Sequence, residues 1–334
     1  MGAARVQVFT DLSEVPDGFG PSAVTIGNFD GVHRGHQAVL RRLVRLAQGD
    51  ERAAVAVTFD PHPAAVHRPG SAPELLTGLH DRLDLLAATG LDAVLVISYS
   101  LEFAAQSPEE FVTRYLTGAL GARSVVVGHD VRFGQDNVGT LATMVELGGE
   151  HGFEVVAIDD VGECLAESPG ARQRWSSSAA RALLAEGDVA QAADVLGRPH
   201  RLRGTVVHGD ARGRELGFPT ANLGAIAGMV PADGVYAGWL RRPVLAAREP
   251  QHPDARLPAA ISIGTNPTFD GVERRVEAYV LDRTDLDLYD EEVVLELVEH
   301  LRPTLRFDGI DPLVRQMHDD VARAREILRP GGGR

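Results

Sequence analysis

The sequence predicts an α/β chain in two modules: a doubly wound parallel sheet, followed by a small antiparallel β-barrel with a terminal helix. Three observations predict this. The chain has 334 residues, more than one hydrophobic core usually organises. Its first half alternates unbroken apolar runs with amphipathic stretches, the pattern of strands covered on both faces and of the helices that cover them. After Ser176 the texture changes to shorter strands between Gly, Pro and Asp turns, which is how small barrels read.

Taken in order, residues 23–26, 53–59, 93–97, 124–127 and 154–158 are rich in Val, Ile and Ala without polar alternation, and are read as buried strands. Between them, residues 36–48 carry Val39, Leu40, Leu43, Val44 and Leu46 on one helical side, and residues 73–89 repeat leucines at helical spacing. Ser107-Pro108-Glu109-Glu110 is a capping box with proline at the first helical position. Residues 178–186 and 188–196 read as two short helices broken at Gly187, and Gly197-Arg198-Pro199 closes the helical stretch. The modules are expected at 1–187 and 188–330. Barrel strands are expected at 204–207, 235–240, 259–263, 276–281 and 293–298, with 241–257 as an exposed, proline-rich excursion. A final amphipathic helix over 311–328 turns Leu313, Met317, Val321, Ala324 and Leu328 inward, and the residues from Pro330 onward are expected to fray.

Bulk properties exclude several function classes. A formal net charge of -14 argues against nucleic acid or an anionic membrane as the main partner. Any anionic substrate must then be held by local donors. The single cysteine, Cys164, permits no internal disulfide and fits a cytoplasmic location. The first ten residues show no signal-peptide pattern, and apolar runs such as 93–97 are too short to span a bilayer. No cluster has zinc-ligand spacing. His208, His318 and Cys164 are read as structural.

The most informative segment is Gly27-Asn28-Phe29-Asp30-Gly31-Val32-His33-Arg34-Gly35-His36. Gly27 ends a strand and Gly35 sits where a helix begins; Asn28 and Gly31 add backbone freedom. His33 and His36 share one face of the first helical turn, where the helix N-terminus already attracts phosphate. Two imidazole donors there suit attack on the α-phosphate of ATP by another phosphate. That nucleophile is already ionised, so the work is alignment and charge stabilisation rather than strong base catalysis.

This string resembles the H-x-G-H nucleotidyltransferase superfamily, and at full length the adenylyltransferase module of prokaryotic bifunctional riboflavin kinase/FAD synthetases. Three further stretches carry the resemblance. Thr58-Phe59-Asp60-Pro61-His62-Pro63 is similar to a loop lining the flavin and nucleotide cleft, and Gly128-His129-Asp130 with Arg132-Phe133-Gly134 to the flavin-side loop. Ser176-Ser177-Ser178 with Arg181 is similar to a signature that contacts the ATP phosphates. The resemblance implies catalytic roles for His33 and His36, ATP contacts for Gly27, Asn28, Gly35, Ser177, Ser178 and Arg181, and flavin contacts for Pro61, His62, Pro63, Asp130 and Phe133. Phe133 and Pro63 are expected to offer the stacking surface. Val131, Gln106 and Ala179-Ala180 depart from the family's pattern.

The second segment is Gly217-Phe218-Pro219-Thr220-Ala221-Asn222, with Glu277 downstream. Thr220 and Asn222 offer a hydroxyl and an amide carbonyl, hard neutral oxygens suited to magnesium whose remaining positions are filled by phosphate and water. Phosphorylating an alcohol calls for a base near the acceptor, and Glu277, on a predicted strand, is the candidate. The run from Gly204 to Gly209 and from Arg212 through Leu223, together with Asp233-Gly234-Val235-Tyr236, Ile263 to Phe269, Glu277-Ala278-Tyr279, Leu301-Arg302 and Arg306-Phe307, resembles the riboflavin kinase module. The resemblance implies that Thr220 and Asn222 bind the metal-nucleotide, that Glu277 is the base, and that Gly209 covers the phosphates. Arg302 is assigned to the flavin phosphate, although a surface salt bridge explains it nearly as well.

The expected activity is therefore bifunctional: riboflavin to FMN with one ATP, then FMN to FAD with a second, releasing pyrophosphate. Mg2+ would accompany ATP, and flavins would be substrates and products rather than a prosthetic group. A monomer or weak homo-oligomer is expected. Three rivals stay open at this point: a kinase with an impaired adenylyltransferase, a flavin-responsive binding protein without turnover, and an RNA ligand disfavoured by the acidic balance.

Overall fold

The computed structural model describes residues 6–158, 175–209, 213, 216–265 and 274–329. The chain separates into two compact units. Unit 1 comprises Met1–Glu74 and Leu79–Ser176; unit 2 comprises Leu75–Gly78 and Ser177–Arg334. The expected division after residue 187 thus falls inside unit 2. The reason is packing: the helices on either side of Gly187 pack on each other, one burying Ala180 and Leu184 and the other Val189, Ala192 and Val195.

Unit 1 is a six-stranded parallel sheet. Its strands are β1 (Gln7–Phe9), β2 (Ser22–Ile26), β3 (Ala53–Asp60), β4 (Ala93–Ser98), β5 (Ala122–Gly128) and β6 (Glu154–Ile158), in the order β1-β4-β3-β2-β5-β6. Every pairing is parallel. The helices are α1 (Arg34–Gly49), α2 (Pro63–His67), α3 (Leu79–Ala87), α4 (Leu101–Ala104), α5 (Pro108–Phe111) and α6 (Leu141–His151), and α5 runs into a π-helical segment, Val112–Ala119. Alternate strand residues enter two cores. Val24, Val57, Leu95 and Val125 pack with Phe111, Leu116 and Met144 on one face. Ala23, Ala56, Val94 and Val126 pack with Leu40 and Leu43 of α1 and Leu86 of α3 on the other. Both faces are covered, which is why the strands read as unbroken apolar runs. From β2 the chain steps through β3 to β4 on one side and places β5 and β6 on the other. The switch point therefore lies beside the carboxyl end of β2, where open α/β sheets present their ligand crevice. The residue there is Gly27.

Unit 2 opens with α7 (Ser177–Ala185) and α8 (Val189–Leu196). The remaining elements are β7 (His200–Val207), β8 (Thr220–Ala227), β9 (Gly234–Arg241), α9 (Pro243–Arg248), β10 (Arg256–Gly264), β11 (Arg275–Val280), β12 (Glu292–Arg302) and α10 (Ile310–Ile327). The strands close antiparallel in the order β10-β11-β8-β7-β12-β9, so no edge is left unpaired. The expected excursion at 241–257 contains α9 and a single 3-10 turn, Pro253–Ala255. On α10, Val314, Met317, Val321 and Ala324, with Leu328 just beyond, pack against Phe218, Ala237 and Leu301 of the barrel. Val314 takes the place expected for Leu313.

Candidate active sites

The loop after β2 continues the sheet by one residue: the Gly27 N–H donates to the Val57 carbonyl at 3.0 Å. The chain then turns through left-handed conformations at Phe29 (φ 48), Gly31 (φ 76) and Val32 (φ 38). A β-branched residue at positive φ is strained, and such strain persists where surrounding contacts over-determine it; the Gln37 amide holds the Val32 carbonyl at 2.8 Å. Helix α1 starts at once. His33 caps it, its Nδ1 accepting the His36 backbone N–H at 3.3 Å. A neutral His33 must then carry its proton on Nε2.

The His33 and His36 rings stack 3.6 Å apart at 21°, with the Phe29 ring edge-on to His36 at 5.2 Å. Gly35 leaves room for this: a Cβ there would lie 3.1 Å from the His33 ring, a tight contact. His33 is buried, and the Nδ1 of His36 is buried with no hydrogen-bond partner. Burial first, and the adjacent His33 second, hold the His36 pKa well below 6.5. His36 is therefore held as a neutral imidazole beside a helix N-terminus.

The Pro61, His62 and Pro63 segment follows β3. The Nδ1 of His62 accepts the Ala64 N–H at 3.1 Å and caps α2, with Pro63 as its first residue. This loop and the histidine loop share two donors that the sequence did not disclose as site residues. Thr58 Oγ1 donates to the Asn28 carbonyl at 3.2 Å. Arg82, from α3, donates to the Asn28 carbonyl at 3.1 Å, the Phe59 carbonyl at 3.0 Å and the Asp60 carboxylate at 3.3 Å. In sequence Arg82 looks like one more polar position in a leucine-spaced helix; only its neighbours give it meaning.

Asp130 is exposed beyond β5. Phe133 departs from expectation. It is 8% exposed and packs in the core with Phe111, while its backbone bridges to Gly139. It anchors the loop instead of offering an open stacking face, and Val131 packs against the same core. Trp175 lies beside Gly35 and under the Arg34 guanidinium, 5.9 Å from it. Ser177, Ser178 and Arg181, which follow it, open α7 and belong to unit 2; Ser178 is exposed.

In unit 2 the site is set by strand register. Asn222 and Thr220 on β8 pair with Glu277 and Tyr279 on β11, and Ser262 on β10 faces Glu277 from the other side. Thr220 and Asn222 thus lie in a strand, not in a loop. Thr220 Oγ1 donates to Glu277 Oε2 at 3.1 Å. With its one proton committed, the hydroxyl oxygen keeps lone pairs for another ligand. Gly209 runs so close to Asn222 that an added Cβ would lie 2.6 Å from the amide Cγ. Ahead of β8, the N–H groups of Leu216 and Phe218 both donate to the Gly213 carbonyl, and Gly217 takes φ 85. Phe218 anchors this turn, edge-on to Tyr279 at 5.2 Å and to His318 of α10 at 5.0 Å.

Beside Thr220 opens a cavity of about 250 Å³ walled by Val206, Val280, Leu286, Leu288 and Tyr289. Thr220, Arg283 and Thr284 add polar groups to its lining. His208 stacks on Tyr289 at 3.9 Å, and Arg283 secures the cavity loop by bonding both Asp254 and Asp285. Arg302 is engaged by Asp320 of α10 through contacts of 2.9 and 2.7 Å; this salt bridge is largely buried, not the surface one that the sequence left as its alternative. Among the described residues no three His, Cys, Asp or Glu side chains gather as a metal site. The oxygens of Thr220 and Asn222 fit a hard cation only if phosphate supplies further ligands. Cys164, Arg212, Arg214, Glu215 and the run Asn266-Pro267-Thr268-Phe269 lie outside the described residues.

Comparison with known proteins adds independent findings. A family model described as FAD synthetase matches residues 17–168, and one described as riboflavin kinase matches residues 196–328. The bifunctional riboflavin kinase/FMN adenylyltransferase of Escherichia coli (strain K12) is 35% identical over 305 residues, covering 91% of this chain and 92% of that one. Its counterpart from Listeria monocytogenes is 33% identical over 323 residues, covering 96% and 94%. A solved structure described as a macrolide-efflux protein from Streptococcus pneumoniae is similar throughout, with TM-score 0.79, 30% identity, and 96% and 98% of the two chains covered. Among the described residues here, no helix is long and apolar enough to cross a membrane.

Proposed function

The chain belongs to the bifunctional riboflavin kinase/FMN adenylyltransferase family, and from that premise we propose how its residues carry two consecutive transfers from ATP. Unit 2 phosphorylates riboflavin to FMN, and unit 1 adenylylates FMN to FAD. One observation supports the reading: the first motif string stacks His33 on His36 at the start of α1, and the second brings Thr220, Asn222 and Glu277 together on paired strands, donor sets that suit two different nucleophiles.

In unit 2 the nucleophile is an alcohol. Its oxygen bonds to the γ-phosphorus of ATP, ADP leaves, and Glu277 takes the hydroxyl proton. Thr220, held by its bond to Glu277, and Asn222, close against Gly209, would hold Mg2+ together with the phosphates. When bound, that ion screens the charge of the triphosphate. Gly209 lets the backbone lie over the phosphates. The cavity beside Thr220 receives a planar ring, and Arg302 orders the end of β12 against α10 on the flavin side.

In unit 1 the nucleophile is the FMN phosphate. Its oxygen bonds to the α-phosphorus of a second ATP and pyrophosphate leaves. His33 and His36 donate N–H groups to the charge that develops on the equatorial oxygens. Gly27, Asn28 and Gly35 admit the nucleotide to the start of α1. Pro61, His62, Pro63 and Asp130 receive the flavin, and Phe133 holds their neighbouring loop in place. Flavins pass through as substrate and product. The acidic charge and single cysteine support a cytoplasmic enzyme that needs neither nucleic acid nor membrane, acting as a monomer or weak homo-oligomer.

The test is to incubate the full chain with riboflavin, ATP and Mg2+ and to separate the products over time. FMN should rise first and then fall as FAD and pyrophosphate accumulate. FMN that accumulates without FAD would reject the adenylyl-transfer half, and flavin that binds without conversion would reject both halves.

A further inference from the structure

We propose that Arg82 is a positioning residue that ties the nucleotide-side loop of unit 1 to its flavin-side loop, so that ATP and FMN bind cooperatively. The inference rests on the functional reading above. Arg82 heads the large side chains that are fully buried, at 0% exposure. A guanidinium is costly to bury, and an apolar side chain of similar volume would fill the space with less penalty. The charge is kept where it meets three acceptors. Nη1 donates to the carbonyl of Asn28, just beyond β2. Nη2 donates to the carbonyl of Phe59 and to the carboxylate of Asp60, at the end of β3. Asp60 is 39% exposed at its side chain, so only the arginine partner of this pair is sealed from water.

The geometry matters more than the charge. A guanidinium presents its N–H groups in one rigid plane, so a shift of one bonded carbonyl re-aims the group that bonds the other. One fork here holds the loop that leads to His33 and His36 and the loop that leads to Pro61, His62 and Pro63. Helix α3 also packs directly on the Asp30–Val32 turn, so the base of the fork cannot move independently of the histidine loop. A displacement imposed by nucleotide at Asn28 is passed to the flavin loop, and by linkage flavin must affect nucleotide equally.

The experiment measures initial rates of FAD formation over a grid of FMN and ATP concentrations, for the wild type, Arg82→Lys and Asp60→Asn. Riboflavin phosphorylation by the same preparations and their thermal melting serve as controls. In the wild type, saturating ATP should lower the KM for FMN by about fivefold or more, with the same factor in the reverse direction. Arg82→Lys keeps the charge but loses the planar fork. Its interaction factor should fall to about one, and kcat/KM for FAD formation should drop about tenfold or more, with riboflavin phosphorylation within about twofold of wild type. If Arg82→Lys does not fold, Asp60→Asn carries the test, because it loosens the flavin-side arm at a part-exposed group and should reduce the same factor. An unchanged interaction factor in a folded variant would overturn the proposal. So would a wild type with no interaction factor, or a parallel loss of riboflavin phosphorylation. A wild type that makes no FAD at all would reject the functional reading itself, and the inference with it.

Discussion

The histidine site proposed for unit 1 and the threonine site proposed for unit 2 would both meet a triphosphate, yet they are built from different materials. In unit 1 the donors are nitrogen: stacked imidazoles 3.6 Å apart at the start of α1, with the loop beneath them held by carbonyls on a buried guanidinium. In unit 2 the groups are oxygen: a hydroxyl, an amide carbonyl and a carboxylate brought together by β8–β11 register. The difference follows the nucleophile. A phosphate is already ionised and needs alignment and neutral donors, whereas an alcohol needs a proton acceptor and a screened triphosphate. Each site therefore has its own point of failure.

The largest effects should come from removing those points. His36→Ala removes a donor to the developing charge, and FAD formation should fall by about 10² to 10³ while FMN formation continues. Glu277→Gln removes the proton acceptor, and riboflavin phosphorylation should fall by at least about 10², with FAD still made from supplied FMN. Product separation reads both, and a variant that stays folded but loses both reactions would break the contrast.

A smaller effect should come from Gly209→Ala. The new methyl group must displace the Asn222 amide, since Cβ and Cγ would otherwise stand 2.6 Å apart. The KM for ATP in the kinase reaction should rise about tenfold, in proportion to lost binding of about 1.4 kcal/mol. An unchanged KM would remove Asn222 from the nucleotide site.

The smallest effect is on stability and comes from His36. Its pKa lies well below 6.5 in the native chain. Between that depressed value and 6.5 the unfolded chain binds a proton that the folded chain does not. The contribution is therefore full above pH 6.5 and is lost as pH falls through the window. Melting temperature followed from neutral to acid pH should fall more steeply in the wild type than in His36→Gln. Parallel curves would contradict a buried neutral imidazole.

How much of this was legible in the sequence differs between the same two regions. The sheet of unit 1 was readable because strands covered on both faces leave uninterrupted Val, Ile and Ala, and the histidine string sits directly after one of them. Edge strand β1 was not: it has three residues, two of them exposed, and no apolar run. In the barrel, β8 was hidden because Thr220, Ala221, Asn222 and Gly224 have little strand preference, and pairing with β7 and β11 makes them a strand. Arg82 was hidden because burial of a charge depends on acceptors far away in sequence. Phe133 misled for the converse reason: an aromatic beside a glycine turn reads as a platform, and only the covering by Phe111 shows that it is core. Residue types suggested the chemistry; long-range contacts decide where those side chains lie.

The most direct test mixes the two single-site variants. His36→Ala alone should stop at FMN, and Glu277→Gln alone should leave riboflavin unchanged while still converting added FMN. An equimolar mixture should convert riboflavin to FAD, because FMN made by one protein is finished by the other. A mixture of two folded variants that yields no FAD would contradict two independent sites on one chain.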